Sequence, residues 1–191
     1  MKTQFYVEKV IDMIRILINA GHHPQLDWGA INRKYNVHEA DIAKSIAMKA
    51  IEFLNAAGGY ECEFIQENEL RAITNRANQG NFDLFISIHA DSVFDPQPNG
   101  TTTFVYWRGG EADKLAQHIQ YQITNRMKTY DRGVREANYY VLKKTIMPAV
   151  LIECAYISNE HDVQLLMNPD SQTEFARSIA LGVTDYYKYH E

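Results

Sequence analysis

"DLFISIHADS", residues 83–92, is an almost unbroken apolar run that stops at a histidine. Leu, Phe and Ile in continuous succession mark a strand buried on both faces, and such strands belong to parallel sheets covered by helices on each side. Two further runs read the same way: "IRILINAG" (14–21), ended by a glycine, and "PAVLIECAYIS" (148–158), apolar apart from Glu153. "YECEFIQ" (60–66) and "GTTTFVYW" (100–107) are β-rich and shorter.

Helical periodicity fills the intervals. From 39 to 55 the apolar positions Ala40, Ala43, Ala47, Ala50 and Leu54 recur at steps of three and four, and Gly58-Gly59 supplies a stop. Leu70, Ile73 and Ala77 share one face over 68–80; Leu115, Ile119, Ile123 and Met127 do so over 111–130. The last helix spans 171–190, with Ser171 and Glu174 as a capping box and Phe175, Ile179, Val183 and Tyr186 as its buried stripe. Strands alternating with helices predict an α/β fold around a mostly parallel sheet. At 191 residues, one domain over 1–191 is expected.

Composition narrows the function. Hydrophobic residues at 46% and charged ones at 23% are those of a globular chain, not a disordered one. A net charge of -5 without a basic run argues against a nucleic-acid partner. Cys62 and Cys154 lie far apart with no C-x-x-C spacing, so they read as small buried hydrophobes, not as a disulfide framework. Glu8, Lys9, Asp12 and Arg15 interrupt the N-terminal stretch, which therefore lacks the apolar core of a signal peptide. No segment approaches the ~20 apolar residues of a membrane span, and a soluble chain with no membrane insertion and no export address is expected.

In open α/β sheets, polar groups at the carboxyl ends of the strands gather in one crevice. His22, His89 and Glu153 stand at or near such ends, and Glu39 joins them if the loop from 22 to 39 doubles back. Two imidazoles and a carboxylate form a familiar catalytic zinc set with one position open for water. The separations are 17 and 50 residues, so the fold has to assemble the ligands. Each residue alone has a plainer reading. A histidine at a strand end is more often a hydrogen-bonded structural residue, and Glu39 suits the positive end of its helix. Glu153 is harder to set aside, because a carboxylate inside "AVLIECAYI" must be protonated, paired or working.

With these residues assembled, the chain resembles the zinc-dependent N-acetylmuramoyl-L-alanine amidases of the type-3 family, cell-wall hydrolases of bacteria and their phages. The matching motifs are Gly21-His22, Gly29-Ala30 and Glu39; "SIHAD" (87–91), with Asp91 where the family has asparagine; and "RGVREANYYVLKKTIMPAVLIECAYISN" (132–159). The last resembles the family's Arg-Gly segment, Val-Leu strand, Met-Pro turn and glutamate-containing end. The resemblance covers about 14–187. It departs at His23-Pro24, where the family has two glycines, at Asn36, which replaces a glycine, and at Ile73, which replaces an arginine. Asparagine is the next best residue for a left-handed backbone.

The resemblance implies a single domain with a twisted, mostly parallel six-stranded sheet and helices on both faces. It implies one Zn²⁺ per chain on His22, Glu39 and His89, with Glu153 as the catalytic carboxylate. His23, Asn36, Asp91 and Arg132 are the candidate substrate-binding positions, and the neighbouring imidazole of His23 is the rival to His22 as ligand. The implied reaction is hydrolysis of the amide between the lactyl group of N-acetylmuramic acid and L-alanine in peptidoglycan or a muropeptide. Another zinc peptidase, such as a carboxypeptidase, and a non-catalytic peptidoglycan-binding module are the alternatives. Some family members are plugged by a helix inserted after the Ser-Ile-His strand. Here "ADSVFDPQPNG" (90–100) leaves no room for one, so no obligatory protein activator is expected. A wall hydrolase without a leader fits a phage or prophage lysin, an enzyme freed by mother-cell lysis, or a chain whose leader has been removed.

Overall fold

The computed structural model describes residues 13–190; residues 1–12, over which most of the leader reading runs, and Glu191 lie outside the described residues, as does the side chain of His190. The three apolar runs become neighbouring parallel strands: β1 (Ile14–Ala20), β5 (Leu84–Asp91) and β8 (Ala149–Tyr156). With β4 (Tyr60–Ile65), β6 (Thr101–Val105) and β7 (Asp131–Glu136) they form a six-stranded sheet in the order β4-β1-β5-β8-β6-β7. β6 runs antiparallel to β8, and every other pairing is parallel.

The register divides the side chains into two faces. Ile16, Ile18, Ile86, Ile88, Val150 and Ile152 point to the larger core. It is covered by α1 (Glu39–Ala57), α3 (Glu111–Met127), α5 (Glu160–Met167) and α6 (Pro169–His190). Leu17, Phe85, Ala149 and Leu151 point to a smaller core with Ile73 and Ala77 of α2 (Leu70–Gln79) and Val141 and Leu142 of α4 (Tyr140–Lys144). Burial on both faces is what the apolar runs require. Among the described residues no helix is long and apolar enough to cross a membrane.

Several expectations change. Leu70 does not share the buried face of Ile73 and Ala77: it opens α2 and is 50% exposed. Val141 and Leu142 lie on a short helix, not a strand. The helix read to residue 130 ends at Met127, because Lys128 turns left-handed at φ 57. The closing helix starts earlier than Ser171. Asn168 caps it, its Oδ1 accepting from the Asp170 and Ser171 amides at 2.8 and 3.1 Å, and Pro169 occupies the first helical position, where a missing N–H costs nothing. Glu174 pairs with Arg126 of α3 instead of closing a capping box. α5 follows β8 directly and is capped by Asn159, which accepts from the amides of His161 and Asp162.

Candidate metal centre and active-site cleft

Gly21 extends the β1–β5 ladder, its N–H donating to the Ile88 carbonyl at 2.8 Å, and His22 then leaves the sheet in a left-handed conformation at φ 60. The loop that follows does double back. Its middle is a small antiparallel hairpin, β2 (Ile31–Asn32) with β3 (Val37–His38), turned through Asn36 at φ 54. The returning chain lets the Trp28 and Ala30 carbonyls accept from the Ala40 and Glu39 amides at 3.2 and 2.9 Å, satisfying orphan donors of the first turn of α1. The Trp28 ring stacks on His38 at 4.5 Å and holds the loop down.

Glu39 is thereby placed across the ends of β1 and β5. Its Oε2 lies 3.2 Å from His22 Nε2 and accepts from the Ala30 amide at 2.9 Å; its Oε1 lies 2.9 Å from His89 Nδ1 and accepts from the Ala90 amide at 3.2 Å. One donor atom each from His22, Glu39 and His89 falls within 4.8 Å of the others. Burial works against ionisation of Glu39, but the hydrogen bonds from His22 and His89 outweigh it and hold the carboxyl well below its usual range. The same bond to Glu39, opposed by burial and reinforced by Asp27, raises His22 to about 9. Two imidazoles converging on one carboxylate are a set suited to a dication.

Glu153 faces this cluster from β8. It is the register partner of His89 on the smaller-core face, and its Oε2 is buried without a hydrogen-bond partner. Burial, with the charges of Glu39 and Asp91 nearby, pushes its carboxyl well above 4.5. A buried carboxylate oxygen left without a protein partner beside three converging donors fits a metal with its reacting water. His22, His89 and Glu153 line a cleft of ≈ 440 Å³ that runs past Asn19 to Leu70 and Tyr139. Its floor is fixed by Asn19, whose Nδ2 donates to the Ala20 and Ile65 carbonyls and whose Oδ1 accepts from Ser87 at 2.8 Å.

Known proteins of similar sequence and fold identify the family. The sequence profile described as N-acetylmuramoyl-L-alanine amidase, type 3, matches residues 16–185. The chain belongs to this amidase family. LytC of Bacillus subtilis, an N-acetylmuramoyl-L-alanine amidase, is 33% identical over 91% of this chain, which spans only 35% of LytC. The catalytic domain of CwlV, from Bacillus (Paenibacillus) polymyxa var. colistinus, superposes with a TM-score of 0.86 at 29% identity, covering 92% of this chain and 99% of that one. The CwlD amidase of Clostridioides difficile, in complex with the GerS lipoprotein, gives 0.83 at 26% identity, covering 92% and 97%.

Two glycines of the amidase motifs have a steric reason here. A Cβ on Gly21 would stand 2.3 Å from His89 Cε1, and one on Gly29, which is left-handed at φ 68, would stand 2.5 Å from His22 Cδ2 and 2.6 Å from Glu39 Oε2. The other sequence candidates lie around the cluster. His23 serves its own turn: it bridges Asp27 through the backbone, and its Nδ1 accepts from the Gln25 amide. Asn36 stays in the hairpin turn and lines a separate shallow hollow with His38 and Asp41. A bulge after the His89–Glu153 pair sets Asp91 opposite Tyr156, whose hydroxyl donates to Asp91. Arg132 covers the Tyr156 ring at 5.1 Å and donates to the Asn99 carbonyl, outside the cleft lining.

Asp27 escapes the sequence reading. Its Oδ2 lies 2.7 Å from His22 Nδ1, so it holds the ring with Nε2 aimed at Glu39, while its Oδ1 accepts from the Gly29 amide at 3.0 Å. The available signal was an aspartate on the same loop, two residues before the required Gly29. Partners of this kind fix tautomer and orientation in metal sites, and losing one typically costs 10–100-fold in affinity. Asp27→Ala is expected to weaken zinc binding by roughly that factor with the far-UV spectrum unchanged, as read by chelator competition.

Proposed function

We propose that this chain is a zinc-dependent peptidoglycan amidase that cleaves the bond between the lactyl group of N-acetylmuramic acid and L-alanine of the stem peptide. The reading rests on one observation: the His22, Glu39 and His89 donors converge beside the partnerless Oε2 of Glu153. His22, Glu39 and His89 would hold the ion. Zinc, when bound, supplies Lewis acidity towards the amide carbonyl and lowers the pKa of a water towards ~7. Glu153 accepts the proton of the attacking water and delivers it to the leaving nitrogen, which an amide needs because its amine leaves poorly. The raised pKa of Glu153 suits both halves of that role. Asn19 and Ser87 keep the cleft floor rigid beneath the reacting groups.

The chain works without a protein activator in this reading. Residues 92–100, between β5 and β6, form a short loop with no helix to plug the cleft. Mass spectrometry of defined muropeptides is the test. The purified chain alone should release peptides with an N-terminal L-alanine, leave the glycan intact, and stop when a chelator removes the metal. Loss of a C-terminal residue instead would make it a carboxypeptidase, and binding without any product would make it a wall-binding module.

A further inference from the structure

The cleft has no Lys or Arg donor among the described residues. Asp27, Glu67 and Glu153 offer carboxylates, and Asn19 spends its amide N–H groups on the Ala20 and Ile65 carbonyls. That leaves Asn68, Tyr139 and Tyr140 as neutral donors, and of these Tyr139 is the one on which the charge of Glu153 acts. Amide hydrolysis nevertheless builds negative charge on the carbonyl oxygen, and donors aimed at that oxygen act more strongly in the transition state than in the ground state.

Tyr139 meets the need by position. Its ring packs edge-on against Phe104, with centroids 5.2 Å apart and planes at 75°. Phe104 is the cross-strand partner of Leu151, two residues before Glu153 on the same face of β8, so this contact seats the ring on the cleft wall beside the acid. The backbone is fixed as well, because Tyr139 is the N-cap of α4 and its carbonyl accepts from the Lys143 amide at 3.0 Å. The residue is 40% exposed, and among the described residues its hydroxyl has no protein hydrogen-bond partner. Burial, with the charges of Glu153 and Asp91 close by, raises its pKa above 10, which keeps the phenol a donor at neutral pH.

We propose that Tyr139 is a further catalytic residue, its hydroxyl donating a hydrogen bond to the carbonyl oxygen of the scissile amide as charge gathers there. The inference rests on the amidase reading above. Tyr139→Phe keeps the ring and its seat on Phe104 and removes only the oxygen. Losing an oxyanion donor costs ~10²–10³-fold in kcat where hydrogen bonds are the sole support, and a metal sharing the oxygen reduces that to about 10- to 100-fold.

The experiment is steady-state cleavage of a defined muropeptide by zinc-loaded wild type and Tyr139→Phe, with zinc content and thermal midpoint measured on both. A fall in kcat of about 10- to 100-fold, with KM within about twofold and zinc content unchanged, is the expected result. A kcat within about twofold of wild type overturns the inference alone, whether KM moves or not. Loss of zinc from Tyr139→Phe also overturns it, since the phenol would then be acting on assembly of the site. Failure of the wild type to release N-terminal alanine overturns the amidase reading and this inference with it.

Discussion

Glu153→Gln is expected to lower kcat by ~10²–10⁴-fold while leaving zinc content and fold intact. The amide copies the shape of the acid and can occupy the same buried position on β8, but it can neither take nor return a proton. The substitution should also stabilise the metal-free protein at neutral pH, and the sign follows from the burial of the acid. Its folded pKa lies above the 4.5 of an exposed glutamate, so between those two values the folded chain holds a proton that the unfolded chain releases. Stability contributed by that proton is complete below the unfolded value and falls as pH rises through the window, by at most about 1.4 kcal/mol per pH unit. Metal-free wild type should therefore lose stability from pH 5 to pH 8 relative to Glu153→Gln, as read by urea unfolding. Turnover within tenfold of wild type would remove Glu153 from the chemistry, and parallel pH–stability curves would remove its raised pKa.

The gain in stability with the loss of function explains why the residue was visible at all. A carboxylate within "AVLIECAYI" contradicts its surroundings, and local rules tend to fail at functional sites. Residues 83–92 and 148–158 were readable as buried parallel strands because continuous apolar runs need both faces covered, which is how β5 and β8 lie. The pairing of Gly21 and Gly29 with the ligands was readable only as a motif. Its cause is a clash between a missing Cβ and side chains as far as 68 residues away, which no local pattern encodes. Asp27 was hidden for the same reason: its role depends on a left-handed His22 that turns Nδ1 towards it. Leu70 was misplaced because helical periodicity reports which residues share a face but not where a helix begins to meet the sheet. The caps at Asn159 and Asn168 are short-range signals, but they compete with other polar residues nearby. At 168–171 Asn168 takes the amides of Asp170 and Ser171, so the helix begins ahead of the turn that Ser171 was expected to cap.

His89→Ala is expected to abolish both zinc retention and turnover. His22 and Glu39 remain as two donors, too few for a stable zinc site, and the cost should exceed the ~100-fold that a misplaced supporting residue imposes. The fold should survive, because Glu39 Oε1 keeps the Ala90 amide and His89 stands at the end of β5, clear of both cores. Gly21→Ala separates the donor from its aim. It leaves all three ligands in place but drives a methyl to 2.3 Å from His89 Cε1, so the ring must swing and Nδ1 must leave its position 2.9 Å from Glu39. If the geometry of the cluster sets affinity, Gly21→Ala should fall between wild type and His89→Ala in zinc content after dialysis, with activity tracking the metal. One equivalent of zinc on His89→Ala would mean that another group supplies the third donor, and the His22–Glu39–His89 assignment would have to be abandoned.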